Sequence, residues 1–558
     1  MGENTVTHDR VLTAINKEKS VVQDYSASDI VGLIENQKLE RALGYVFYFA
    51  TKVVLDEIVA LVCEKESTLD LLAFATYMAI GLQSAQTKWH LEGVLNEIEL
   101  KELAKKFYDY VEANQNSEEA KTFLKGLAQE VHDRYVTEAR TKEEAEKGQK
   151  EVVSGSLTAY ITLMLKEINE SSLFINNKRL DNAVDAETVW GNDFGAFLRF
   201  ALWCGASFQT TNPPLVKAAW DLNPKFWQQK TKEIYQQVKE AKLDGGLLTE
   251  DEQKVALLTY AVVEHSCHLM RDLYLFSEGR LGFVCYQVNP NYHNDSQRMV
   301  DEIEFVHSVM QMRLKNGYEP NISFKVPGTK AALESAKIVG AKGISLTVTL
   351  SFSVFQAVAF ARVFKESKAA VNSVVIMNGR LSFPVRDHLL EENPNKKEHL
   401  LETAKYIGVD VTRHLYAKLY AKESEGALGL DPKRMRIMNA SLRIYGNDIP
   451  DVLEVWGSPS ITIFPNVRYA LNATERTYDV NAVKKDFDAD LRSSNALSEM
   501  FRQSWYVEGD DKKYTPKKVL TLEGTPEEEI TSWVPIVETL TQFLASYAAT
   551  KELIGFLS

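Results

Sequence analysis

The first 212 residues of this 558-residue chain contain no proline; all 15 prolines lie at or after Pro213. Proline breaks helix interiors, so its absence permits long uninterrupted helices there. Cysteine is scarce: Cys63, Cys204, Cys267 and Cys285 stand far apart. That pattern excludes a disulfide scaffold and fits free thiols in a reducing compartment. No apolar run reaches the ~18 residues that a membrane helix needs. The longest candidate, Val46–Val62, is interrupted by Lys52, Asp56 and Glu57. The opening MGENTVTHDR has neither a basic segment nor an apolar core, so no secretory leader and no membrane association are expected, and a cytoplasmic location is. Positive charge is in deficit, with Lys+Arg 64 against Asp+Glu 77 and a net charge of −13. This balance argues against a nucleic-acid partner. It leaves room for a small anionic ligand, because the field inside a pocket is local.

What is present is ordinary for a globular chain: 45% hydrophobic and 25% charged residues. At roughly 100–200 residues per domain, the length fits two to four domains or a large barrel with an extension. From Ala27 to about Leu165 apolar residues recur at three and four, as in Leu39, Ala42, Leu43, Val46, Phe47 and Ala50. Residues 118–149 interleave acidic and basic side chains, as solvated helix faces do. Residues 1–165 are therefore predicted to be an all-α extension, and 166–558 a second unit.

In that second unit eight short apolar runs alternate with longer segments: Leu173–Asn176, Ala206–Thr211, Leu281–Val288, Ile322–Pro327, Ile344–Leu350, Val374–Asn378, Met435–Ser441 and Ile461–Phe464. Strands alternating with helical stretches imply a parallel sheet, and eight of them predict an α/β fold, a (β/α)8 TIM barrel. No G-x-G-x-x-G follows the first run, so a dinucleotide fold is not supported. Side chains alternate along a strand. Ser323 and Lys325 thus oppose Ile322, Phe324 and Val326; Ser345, Thr347 and Thr349 oppose Ile344, Leu346, Val348 and Leu350; Phe283, Cys285 and Gln287 oppose Val284, Tyr286 and Val288. The partly polar faces belong in the lumen, where barrel enzymes place their sites near strand C-termini. Lys325 stands out in I-S-F-K-V-P. A buried lysine loses pKa, and a neutral amine can attack a carbonyl to form a Schiff base. A lumen lysine paired with a carboxylate, or snorkelling to the mouth, is an equal reading from spacing alone.

Several motifs occur in chain order: T-T-N-P-P-L at Thr210–Leu215, V-C-Y-Q-V-N-P at Val284–Pro290, F-K-V-P-G-T-K-A-A-L at Phe324–Leu333, G-I-S-L-T-V-T-L-S-F-S at Gly343–Ser353, N-G-R-L at Asn378–Leu381, N-A-S-L-R at Asn439–Arg443 and S-I-T-I-F-P at Ser460–Pro465. Together they resemble the transaldolase family of class I, Schiff-base aldolases over about residues 171–470. Residues 1–165 resemble nothing recognised. The resemblance implies transfer of a dihydroxyacetone unit between sugar phosphates, in carbohydrate metabolism of the pentose phosphate type. It implies a sugar-phosphate substrate and no cofactor or metal, and it is compatible with a homo-oligomer. Residue by residue it places Lys325 at the Schiff base and Thr349 beside the catalytic water. Thr211 and Asn212 fall on substrate hydroxyls, and Arg380, Ser441 and Arg443 on the phosphate.

There are departures. The family's first-strand aspartate falls on Asn176 and its third-strand glutamate on Gln287. Thr347 stands for an asparagine and Val375 for a serine. The fructose-6-phosphate aldolase branch shares a glutamine at the position of Gln287, but its acid/base tyrosine is replaced by Met377. Amides orient water but do not exchange protons near neutral pH. The sequence therefore leaves three activities open: a transaldolase, a lyase-type aldolase, and a catalytically impaired sugar-phosphate binder. Asp181, five residues past Asn176, is a stand-in carboxylate or a surface residue at a helix start. Glu264, His265, Cys267 and His268 cluster in one helical stretch, but the histidines lack the spacing of four that zinc helices favour, and no metal is expected. The aromatic stretch Trp220–Trp227 reads as packing, and the helix over Ser532–Phe556 is expected across the barrel.

Overall fold

The computed structural model describes residues 3–88, 94–177, 186–314, 317–392, 394–396, 404–485, 507–508, 513–514, 530 and 533–557. Helices occupy the proline-free region, from Glu3–Gln23 through Leu157–Asn169 to Ser172–Asn177. Their starts are capped by side chains: Ser26, Asn96 and Thr141 each form a capping box that satisfies otherwise orphaned backbone N–H groups. The helical region continues to Asn177, and the 165/166 division falls inside the helix Leu157–Asn169.

Seven parallel strands form one sheet: β1 (Val189–Asn192), β2 (Val284–Gln287), β3 (Ile322–Pro327), β4 (Ser345–Thr349), β5 (Asn372–Met377), β6 (Met435–Ala440) and β7 (Ser460–Ile463), in the order β1-β7-β6-β5-β4-β3-β2. Residues 207–210 join its two edges. The Ser207 N–H donates to Trp190 O and the Thr210 N–H to Asn192 O; the Gln209 N–H donates to Phe283 O and its carbonyl accepts from Cys285 N–H. Gln209 thus bridges β1 and β2 in parallel on both sides. The predicted second strand, Ala206–Thr211, is reduced to this bridge, yet it completes an eight-position barrel of the TIM type. Helices interleave with the strands, as the alternating pattern requires.

One predicted strand is overturned. Leu173–Asn176 lies in the helix Ser172–Asn177, where the Ser171 hydroxyl accepts from Phe174 N–H and buries Leu173 and Phe174. A short apolar run cannot by itself distinguish strand from buried helix. The true first strand is the four-residue V-W-G-N of β1, with Asp193 directly after it.

The helical region is clamped to the barrel by packing and by buried charge. Helix Leu39–Tyr48 crosses helix Glu250–Phe276 so closely that a Cβ on Gly44 would lie 2.1 Å from Asp272 Oδ2. Glu18 ion-pairs with Arg271 and Arg41, and Arg41 also with Asp272 at 2.9 Å. On another side Glu138 receives Arg134 at 3.0 Å, Arg140 at 2.6 Å and Arg468 at 3.1 Å, and Arg134 also meets Glu167. Arg468 comes from the short helix after β7, so this cluster ties the extension to the barrel. Among the described residues no helix is long and apolar enough to cross a membrane.

Candidate active site

The alternation read from the sequence is realised. Outward Tyr286 donates its hydroxyl to Glu302 at 2.7 Å, whereas inward Ser323 meets Thr347 at 2.8 Å and Cys285 Sγ contacts Thr347 Oγ1 at 3.5 Å. These three side chains form a buried polar floor. One pleat higher, Gln287 is in register with Lys325 on the neighbouring strand. Lys325 opens into a cavity of about 420 Å³ at the strand C-termini, lined also by Asp193, Asn212 and Thr349, with Arg380, Ser441 and Arg443 at its mouth.

Lys325 is 6% exposed, and its Nζ donates to the Thr211 carbonyl at 2.9 Å. Burial pushes its pKa below the ordinary lysine value and nearby Arg380 adds to this, while Cys285 and Asp193 pull the other way. A carboxylate that no motif marks, Asp193, also lines the cavity. It accepts from Thr210 Oγ1 at 2.7 Å, and Thr210 is hydrogen-bonded in turn to Thr462. Burial raises the Asp193 pKa, with Lys325 and the Thr210 hydrogen bond opposing. The available signal is a β-branched and an aromatic residue, V-W, followed by G-N-D, with Asp193 seventeen residues before T-T-N-P.

The remaining positions divide. Asn176 is not at the cavity: its amide donates to Ser172 O at 2.8 Å within its own helix. Asp181 lies outside the described residues. Thr211 is buried beside Lys325, but its hydroxyl donates to Cys285 O at 2.7 Å, so it supports the strand ends rather than lining the cavity. Thr347 belongs to the floor beneath. Gln287 donates from Nε2 to Lys325 O at 3.1 Å, and its buried Oε1 accepts from no described residue. Asn212 caps helix Pro213–Leu222 by accepting from Leu215 N–H through Oδ1, which leaves its amide N–H groups out of the cap, and it lines the cavity. The Thr349 hydroxyl contacts Met377 Sδ at 3.7 Å.

The two basic motifs meet at the mouth. The Gly379 N–H donates to Ser441 O at 2.9 Å, and a Cβ on Gly379 would sit 2.4 Å from both Ser441 O and the Arg443 side chain, which only glycine allows. Ser441 holds a left-handed φ of +57°, rare for a residue with a side chain and often retained where a ligand is clamped. Arg443 donates to the Ser441 and Leu442 carbonyls, and its own N–H is held by Asp451 at 2.9 Å. Among the described residues neither Arg380 nor Arg443 forms an ion pair. Burial lowers both pKa values, and for Arg380 the Arg443 charge is the next cause. Two half-buried guanidinium groups outside any ion pair have the chemistry to hold an anion through charge-assisted hydrogen bonds.

The acidic helix stretch is structural. Glu264 binds Lys230 and Arg313, His265 lies edge-on to Phe226 and Trp227, and Cys267 donates to Asn321 O.

The barrel thus carries a buried lysine, a buried aspartate and two arginines around one cavity at its strand C-termini. The sequence profile described as Transaldolase/Fructose-6-phosphate aldolase matches residues 197–513. The transaldolase of Parafrankia sp. (strain EAN1pec) is 27% identical over 217 residues, 36% of this chain and 56% of that protein. The transaldolase of Neisseria gonorrhoeae is 27% identical over 213 residues, 36% of this chain and 57% of its own length. Transaldolase 2 of Nostoc sp. (strain PCC 7120) is 33% identical over 97 residues, 17% of this chain and 24% of that protein. The chain thus spans about half the length, or less, of these relatives. With the profile covering more than half of the chain, the protein belongs to the transaldolase/fructose-6-phosphate aldolase family.

Proposed function

We propose that the protein is a transaldolase-type transferase that moves a dihydroxyacetone unit between sugar phosphates through a Schiff base on Lys325. The observation that carries this reading is Asp193 beside Lys325 in one cavity, under a mouth of two unpaired arginines. The neutral Lys325 amine attacks C2 of a ketose phosphate, and the carbonyl oxygen leaves as water. The resulting iminium accepts the electron pair of the C3–C4 bond as that bond breaks. Asp193 takes the C4 hydroxyl proton, and the aldose phosphate departs. Burial raises its pKa, the direction that suits a carboxylate which takes a proton and returns it. The enamine then adds to the aldehyde of an acceptor, Asp193 returns the proton, and water releases the product. Thr349 holds that water; Gln287, outside the cavity lining, steadies the Lys325 strand through its Nε2 hydrogen bond to Lys325 O; Asn212 holds substrate hydroxyls; Arg380, Arg443 and Ser441 hold phosphate.

A lyase-type aldolase is disfavoured by Met377, which leaves no tyrosine at the acid/base position of that branch. An impaired binder was suggested by missing carboxylates, and Asp193 removes half of that argument. The test is fructose 6-phosphate with and without an aldose phosphate acceptor. Release of glyceraldehyde 3-phosphate that requires the acceptor supports the transferase. Free dihydroxyacetone formed without an acceptor would mark a lyase, and binding without turnover a binder.

A further inference from the structure

The last helix, Val534–Lys551, lies against the mouth of the cavity and contributes the buried Phe543 to its lining. Arg380 Nη1 donates to Gln542 Oε1 at 2.7 Å and to Thr539 Oγ1 at 3.4 Å, and its guanidinium carbon lies 5.9 Å from the centre of the Phe543 ring. The Thr539 hydroxyl donates to Pro535 O, so toward Arg380 it acts purely as an acceptor. Both partners of Arg380 are therefore neutral. The same helix carries a carboxylate one turn earlier, Glu538, whose charge is felt by Arg380 although no ion pair joins them among the described residues. The helix is also fixed at its far end: Leu553, Ile554 and Phe556 pack on the cluster of Trp220, Trp227 and Leu258, with Phe556 and Trp220 rings 6.0 Å apart.

We propose that Gln542 is a positioning residue for the phosphate end of the substrate: it holds Arg380 by one nitrogen with a neutral acceptor, fixing the guanidinium while leaving its charge and remaining N–H groups for the anion. This rests on the assignment of Arg380 to phosphate made above. A carboxylate at position 542 would make the same hydrogen bond but cancel the charge, so amide and acid are not equivalent there even though the side chain is exposed.

The test separates geometry from charge. Inorganic phosphate binding is measured by calorimetry on wild type, Gln542→Ala, Gln542→Glu and Arg380→Ala. KM and kcat are measured with fructose 6-phosphate and with fructose. Gln542→Glu is expected to weaken phosphate about tenfold, in line with loss of one charge-assisted contact, and Gln542→Ala by less. The loss should appear in KM for the phosphorylated sugar rather than in kcat, and KM for fructose should move far less. Thermal melting verifies that each variant is folded. Phosphate binding unchanged in Gln542→Glu but lost in Arg380→Ala overturns the role of Gln542 and leaves the phosphate site standing. Phosphate binding unchanged in Arg380→Ala overturns the phosphate site itself, and the role of Gln542 with it.

Discussion

The joint between the helical extension and the barrel, and the mouth of the barrel, both bury arginine, and they treat it in opposite ways. At the joint Arg134 is 2% exposed and sits between Glu138 and Glu167; burial alone would lower its pKa, but the two carboxylates outweigh that and raise it. Glu138 shows the complement: burial is outweighed by Arg134, Arg468 and Arg140, and its pKa falls to about 2. At the mouth Arg380 and Arg443 form no ion pair among the described residues, burial lowers both, and Asp193 and Asp451 are raised rather than lowered. Burying an unpaired charge costs several kcal/mol, so a fold keeps one only where something else is gained. At the joint the charge is paired and structural; at the mouth Arg380 and Arg443 stay out of ion pairs among the described residues, as the phosphate role proposed for them requires.

Substitutions on the two sides should therefore separate function from stability. The largest effect is expected for Asp193→Asn, which removes the proton carrier but keeps the Thr210 hydrogen bond available. Transfer should fall by ~10²–10⁴-fold while imine formation at Lys325 persists. An unchanged rate would mean that another group moves the proton. Next is Glu138→Ala at the joint, which strands Arg468 and leaves Arg134 with Glu167 alone, and should cost ~3–5 kcal/mol in urea unfolding. Activity per folded molecule should stay near wild type; a loss confined to activity would dissolve the contrast. Arg443→Ala should do the reverse. It removes charge-assisted contacts worth about 1.5–3 kcal/mol, seen as a roughly ten- to hundredfold higher KM for a phosphorylated substrate, with stability held or slightly improved.

The smallest effect concerns pH. Burial lifts Asp451 from 3.8 to about 7. A carboxyl raised on folding contributes its full stability below the unfolded value and loses it as pH rises through the folded one. Its contribution to stability should therefore decline between about pH 4 and pH 7. Asp451→Asn keeps an acceptor for the Arg443 N–H and should flatten that decline in urea midpoints taken at pH 5 and pH 8. An identical slope in the variant would assign the titration elsewhere.

Much of this was legible in the sequence, for identifiable reasons. Strands β2 to β7 are apolar runs buried on both faces, and their polar lumen positions break the pattern visibly, as Lys325 does. N-G-R-L and N-A-S-L-R are legible only through the family resemblance, since an arginine taken alone more often forms a surface ion pair. What resisted reading was short or bridging. Gln209 makes a strand position from a single residue, and V-W-G-N is too brief and too rich in turn-forming residues to outweigh L-F-I-N, which is apolar but helical. A first strand at Leu173 puts Asn176 on the family's aspartate position, whereas the real first strand ends directly before Asp193. The profile match begins at 197, after Asp193, so motif order alone could not correct it. The joint was not legible either, because Glu138 and Arg468 are 330 residues apart.

The most direct measurement is imine trapping. The protein is incubated with fructose 6-phosphate, reduced with borohydride and digested, and any adduct is located by mass spectrometry, with Lys325→Met as control. A dihydroxyacetone- or hexose-derived mass on Lys325, absent from the control, is the predicted result. A folded protein that binds sugar phosphate but yields no adduct, or one on another lysine, would contradict the central role given to Lys325.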